Sequence, residues 1–251
     1  MRTVKLCVLG GLLFALALSG CAGKKKLSEG IKDVVFSPDG RVLLEKEGGE
    51  FYICQLDTAG NLINCNRVEL PSFAEAKIFA LDGEHNRFFY AAAESVFVYD
   101  RTTGLTRTLT RGAFARNARC GRVSPDGRFF AFSASLWKLG KATFWRLVVV
   151  DAVEGGIVHY CDSLATPHSF QWVRPNRLGY AELKINGPQI DTVGMFFDTK
   201  RNVVIPSRDG ATDFITALCG KISYDGQWEA EIKNHNLLLH RRTHKTDRFA
   251  P

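Results

Sequence analysis

The sequence has two methionines, eight prolines and no Cys-x-x-Cys pair among its seven cysteines. Without that spacing neither a zinc ribbon nor a thioredoxin-like site is expected. Gly-x-Ser-x-Gly is absent, which removes the nucleophile turn of a large class of serine hydrolases. No P-loop and no Gly-x-Gly-x-x-Gly occurs, so these phosphate cradles are missing too. An apolar run from Leu6 to Leu18 covers 13 residues and is short for a bilayer span. Beyond it, no amphipathic helix of ten or more residues can be traced. Charge is not one-sided: 33 basic and 26 acidic residues give a formal +7. Without Arg2, Lys5, Lys24, Lys25, Lys26 and Glu29 the remainder carries +3, which is no nucleic-acid footprint.

What is present begins at the N-terminus. Arg2 and Lys5 precede the Leu6–Leu18 run, the layout of a signal peptide. The run ends Leu18-Ser19-Gly20-Cys21, which resembles the lipobox of bacterial lipoproteins. The resemblance implies cleavage before Cys21 and lipidation of that residue. It divides the chain into a signal peptide at 1–20, a lipidated flexible tether at 21–29 and a folded domain at 30–251. The plainer alternative is a secretory signal with a chance cysteine. Ala22 stands where aspartate marks inner-membrane retention, so the resemblance implies the outer membrane, facing the periplasm. Lys24, Lys25 and Lys26 in the tether favour anionic headgroups by about 1 kcal/mol each when close to the surface, or simply solubilise a linker.

The rest is organised by a repeat. Val123-Ser124-Pro125-Asp126-Gly127-Arg128 is a turn feeding the apolar run Phe129 to Phe132. Echoes place markers at Asp39, Asp82, Asp126, Asn176 and Asp225, with steps of 43, 44, 50 and 49 residues. A second marker, an apolar strand ending in aspartate before a turn, recurs at Asp57, Asp100, Asp151 and Asp198. Aspartate suits that place because its carboxylate accepts backbone N–H groups two residues on. A period of 40 to 50 residues with several strands per unit points to propeller blades. The chain is expected to be all-β, a β-propeller of five four-stranded blades.

Strands are expected at Ile31–Phe36, Val42–Lys46, Glu50–Leu56 and Leu62–Val68 in the first unit. The second should have them at Lys77–Ala80, Phe88–Ala92, Ser95–Tyr99 and Leu105–Leu109. The third is expected to run Ala118–Val123, Phe129–Ser133, Trp145–Val150 and Ile157–Cys161, with a long hairpin loop from Ala134 to Thr143. For the fourth the spacing gives Ser169–Val173, Leu178–Leu183, Val193–Phe197 and Val203–Pro206. The fifth offers Ala217–Ile222, Trp228–Ile232 and Asn236–His240. The ring closes through Asp247–Ala250 or through residues before Ile31. The Ser-Pro-Asp-Gly-Arg turns, and Val98-Tyr99-Asp100 with Gly104, Leu109 and Thr110, resemble the repeats of the TolB-type propeller. That resemblance implies the fold and an envelope setting; the motif residues are structural.

Five cysteines remain once Cys7 and Cys21 are set aside, and an odd count leaves at least one thiol unpaired. Cys54 and Cys65 flank the turn Asp57 to Gly60. They would face each other across a hairpin, as a disulfide or as two small buried side chains. Adjacent aromatics such as Phe88-Phe89 and Phe129-Phe130 point to opposite faces of a strand and suit packing on both neighbouring blades. Trp137, in the long loop, is a candidate partner contact.

Chemistry is sparse. His240 and His244 sit among Arg241, Arg242 and Lys245, which would repel a cation, so no metal is expected. Asp33, Asp82, Asp162, Glu182 and Asp213 are the carboxylates a channel-mouth glycan or lactone hydrolase would draw on, yet no spacing selects a pair. The expectation is a lipid-anchored envelope module without catalysis or cofactor, attached to the membrane through Cys21 and binding an envelope protein, not nucleic acid.

Overall fold

The computed structural model describes residues 27–69, 77–139, 142–187, 189–207, 223–225 and 227–242. Four antiparallel units follow one another. The first comprises β1 (Ile31–Phe36), β2 (Arg41–Lys46), β3 (Phe51–Leu56) and β4 (Leu62–Val68). The second comprises β5 (Lys77–Asp82), β6 (Arg87–Ala92), β7 (Ser95–Asp100) and β8 (Leu105–Arg111). A 3-10 turn, Gly112–Phe114, leads to β9 (Gly121–Val123), β10 (Phe129–Leu139), β11 (Ala142–Asp151) and β12 (Ile157–Leu164). The fourth holds β13 (Phe170–Arg174), β14 (Arg177–Asn186), β15 (Gln189–Asp198) and β16 (Val203–Pro206). A hairpin, β17 (Trp228–Lys233) and β18 (Asn236–Arg241), comes last. The expected strands Ala217–Ile222 and Asp247–Ala250 lie outside the described residues.

Each unit is a meander, the third and fourth joined into one eight-stranded sheet where Leu164 of β12 pairs with Glu182 of β14, and β1, β5, β9 and β13 lie side by side, the arrangement of propeller blades. The turns explain why. Gly40 and Gly127 hold φ of +80° and +70°, where a side chain would be strained. The marker aspartates cap the third-to-fourth-strand hairpins at the same end: Asp57 Oδ1 accepts from the Ala59 and Asn61 N–H groups, Asp100 from Thr102 and Thr103. Asp151 accepts from Val153 and Glu154, and Asp198 from Lys200 and Arg201. Hydrogen bonds from the Asn61 side chain and backbone hold Asp57 below the usual carboxylate range.

The core lies between units. Phe88 packs with Val35 and Leu43 of the first unit, while its neighbour Phe89 stacks on Phe130 of the third, ring centres 4.4 Å apart. Phe129 turns the other way, toward Trp172 of the fourth. Each such ring removed from water contributes about 1.5–3 kcal/mol. The residues before Ile31 join the last described hairpin. Glu29 bridges Asn236, and the Leu237 N–H donates to the Ser28 carbonyl. Ile31, Phe36 and Leu44 pack with Trp228, Ala230 and Leu237, and Leu27 lies against the same cluster. The chain is therefore engaged from Leu27 onward, inside the stretch expected to be tether.

Three expectations need correction. The first strand of the third unit begins at Gly121, not Ala118: residues 115–117 form a turn, and Arg119 and Cys120 bond Ser133 without joining the regular strand. The expected loop Ala134–Thr143 is not a loop: β10 and β11 continue as a ribbon through Leu139 and Ala142, bulged at Leu136. In the fourth unit β14 and β15 likewise extend to Asn186 and Gln189.

Candidate functional site

Two ends of the molecule differ in kind. At the turn end, where first strands pass into second strands, successive units are stapled together. The Gly83 N–H donates to Ser37 Oγ at 2.8 Å, and Arg41 Nη1 donates to the Gly83 carbonyl at 2.8 Å. Arg87 repeats the device one unit on, holding Asp82 with Nε at 3.0 Å and the Gly127 carbonyl with Nη2. A Cβ on Gly127 would fall 2.6 Å from His85 Nδ1 and 2.7 Å from Asp82 Oδ2, so the turn is wedged into that cluster. Val123 N–H donates to Tyr224 Oη at 2.9 Å, and Trp172 Nε1 donates to the Arg122 carbonyl at 3.0 Å. The Arg122 guanidinium lies 5.0 Å from the Tyr224 ring; burial pushes the arginine down and the tyrosine up in pKa. This end is filled by groups that satisfy one another. A shallow depression of about 500 Å³ beside it is lined by Asp39, Arg41, Gln55 and Glu84.

The carboxylates named for catalysis are spread out and engaged separately. Asp33 accepts from the Val34 N–H, Asp82 belongs to the Arg87 and His85 cluster, Asp162 pairs with Arg146, and Glu182 accepts from Ser163. Asp213 lies outside the described residues. His240 contacts Glu231 at 3.1 Å and His235 contacts Glu47 at 2.8 Å; His244 lies outside the described residues. Among the described residues no three His, Cys, Asp or Glu are grouped to hold a metal.

The structure joins Cys54 to Cys65, with Cα atoms 4.1 Å apart. A bulge at Asn64, φ +50°, sets the register: Leu56 pairs Leu62 near the turn, but Ile53 pairs Asn66 beyond it, which brings Cys65 opposite Cys54. Cys120 is disulfide-bonded as well, its sulfur 2.9 Å from His168 Nδ1. Cys161 is free and buried, and burial pushes its thiol up.

The opposite, hairpin end carries two exposed cross-strand apolar pairs. Trp137 and Phe144 are cross-strand partners on the β10–β11 ribbon, rings stacked at 4.0 Å and 14°, with Trp137 48% exposed. On the β14–β15 ribbon Ile185 pairs with Ile190, and they are 75% and 66% exposed. Trp137 was thus expected in the right hairpin but on a loop; it stands on a strand. Ile185 and Ile190 are absent from the sequence-based candidates, and their one signal was an Ile-x-Gly-Pro-x-Ile palindrome around a turn. Cys21 lies outside the described residues.

No protein-family model matches the chain, and no curated protein matches it either. Solved structures similar to it include hydrazine synthase of Kuenenia stuttgartiensis, 10% identical with a TM-score of 0.47, over 90% of this chain and 99% of that one. The β-propeller domain of the trilobed protease from Pyrococcus furiosus is 11% identical with a TM-score of 0.46, over 87% of this chain and 70% of that one. The acylaminoacyl peptidase of Pyrococcus horikoshii is 11% identical with a TM-score of 0.44, over 80% of this chain and 35% of that one.

Proposed function

We propose that the chain is a lipid-anchored β-propeller of five four-stranded blades, serving as a non-catalytic protein-binding or assembly module of the cell envelope. The observation that supports binding is where apolar surface stays uncovered. The turn end is consumed by its own staples, and the described carboxylates are paired one by one. Against that, Trp137, Ile185 and Ile190 are exposed on two ribbons, and Val203, Val204 and Ile205 are 42%, 38% and 38% exposed on β16, the outermost described strand of its sheet. An uncovered outer strand offers backbone groups as well as side chains to an extended partner segment. The Cys21 lipobox supports the envelope setting.

A mild crosslink of intact cell envelopes tests this, with pull-down of the tagged chain, mass spectrometry and Cys21→Ala as control. A specific envelope protein should be enriched with the wild type and lost with the control. Identical recoveries from both would sink the module reading and move attention to glycans and lactones as ligands.

A further inference from the structure

We propose that the two ribbon tips, Trp137 with Phe144 and Ile185 with Ile190, are seated in the headgroup layer of the membrane that holds the lipid anchor. The inference rests on the lipid-anchored reading above and assigns those tips to lipid, leaving β16 to a protein.

Chain direction places the start of β1 at the tips' end, within reach of the tether. The staples from Ser37 to Gly83 and from Arg87 to Gly127, with Trp172 on Arg122 and Tyr224 on Val123, gather the first-to-second-strand turns of the units at one end. Every second-to-third-strand hairpin therefore points to the other. The start of β1 belongs to that other end: the Glu47 N–H, in the turn between β2 and β3, donates to the Gly30 carbonyl at 2.9 Å. Lys46 Nζ donates to the Glu29 carbonyl at 3.0 Å beside it. Residues 27–29 run antiparallel beside β18 and turn into β1 at the end from which both ribbons project.

The lengths agree. From Cys21 to Leu27 are six residue steps, a reach of about 20 Å for an extended chain. The body is held within that distance of the bilayer. β10 and β14 have 11 and 10 residues where β2 and β6 have six. At about 3.3 Å per residue the ribbons stand about 13–16 Å beyond the short hairpins. They span most of the gap the tether permits. Their chemistry suits the interface: an amphipathic indole stacked on phenylalanine at one tip, a pair of isoleucines beside exposed Lys184 at the other. Lys24, Lys25 and Lys26, between the anchor and Leu27 in the sequence, would favour anionic lipid.

The test uses the full-length chain purified from its membranes and reconstituted in phosphatidylethanolamine and phosphatidylglycerol vesicles with brominated acyl chains. Of the four tryptophans, Trp145 is half-buried and Trp172 and Trp228 are buried, so Trp137 is the indole open to the quencher. Trp137→Phe is the reference, because phenylalanine keeps the stack on Phe144. The expected result is loss of the emission that distinguishes wild type from Trp137→Phe, greater with bromine near the headgroup than at the chain end. An acylated, vesicle-bound chain whose Trp137 emission is unchanged overturns the inference, leaves the anchor intact and returns the tips to a protein partner. A Cys21 peptide of unacylated mass overturns the anchored reading, and the inference falls with it.

Discussion

His159 is a residue whose charge state bears on stability. It stacks on Phe197 at 4.3 Å, and its buried Nε2 finds no protein partner among the described residues. Burial pulls its pKa from 6.5 down to about 4. Between those values the unfolded chain binds a proton that the folded chain refuses. The neutral imidazole's contribution is complete above pH 6.5 and is lost as pH falls toward 4. Partial solvent access discounts the full effect to about 1–2 kcal/mol. Asp57 and Asp198, both held below the usual range, titrate under this window and do not confuse it. We expect urea midpoints to drop between pH 7 and pH 4.5 in the wild type. In His159→Phe, which keeps the stack and removes the proton site, the drop should be smaller. Equal drops in both proteins would show that His159 is not the group responsible.

At the scale of elements, the β3–β4 hairpin carries the most direct prediction. Cys54 and Cys65 close a loop of 11 residues, and constraining so short a loop in the unfolded chain is worth about 3 kcal/mol by chain entropy. Under native, non-reducing conditions, alkylation should label none of Cys54, Cys65 and Cys161; unfolding without reduction should add Cys161 only. Labelling of Cys54 or Cys65 in the folded protein would refute the bond. The same hairpin shows what was legible in the sequence. Both cysteines and their turn could be paired by counting, although the Asn64 bulge that completes the register could not. Strands of the first two units could be placed to within a residue or two, because buried faces impose alternation and the aspartate turns punctuate it. The ribbons were misread for the opposite reason. A two-stranded ribbon exposed on both faces buries no side, so its sequence carries no period of two. The Leu136 bulge broke what alternation remained. Arg41 and Arg87 were invisible as staples because their carbonyl partners lie 42 and 40 residues away, on the next unit.

For the whole molecule, the question is what makes a row of meanders one cooperative body. Each described unit packs on its sequence neighbours, so stability would be nearly a sum of local interfaces if the row had free ends. The contact of β17 and β18 with the first unit, and of Tyr224 with β9, ties the last described segment back into the row. Trp228 sits at its centre, 8% exposed, with Gly60 so close that a Cβ there would lie 2.5 Å from the indole. Truncating a buried tryptophan to alanine costs about 3–5 kcal/mol where the surroundings cannot collapse. We expect Trp228→Ala to lower the urea midpoint by that order and to split unfolding into stages. The first unit and the last hairpin should lose hydrogen-exchange protection before Phe89 and Phe130 do. Leu105→Ala, at a side chain 69% exposed, is the matched surface change and should leave both quantities where they were. If Trp228→Ala still melts in one transition with protection lost everywhere together, closure is not what couples the units. Cooperativity would then have to come from the staples at the turn end, where Arg87→Ala becomes the decisive variant.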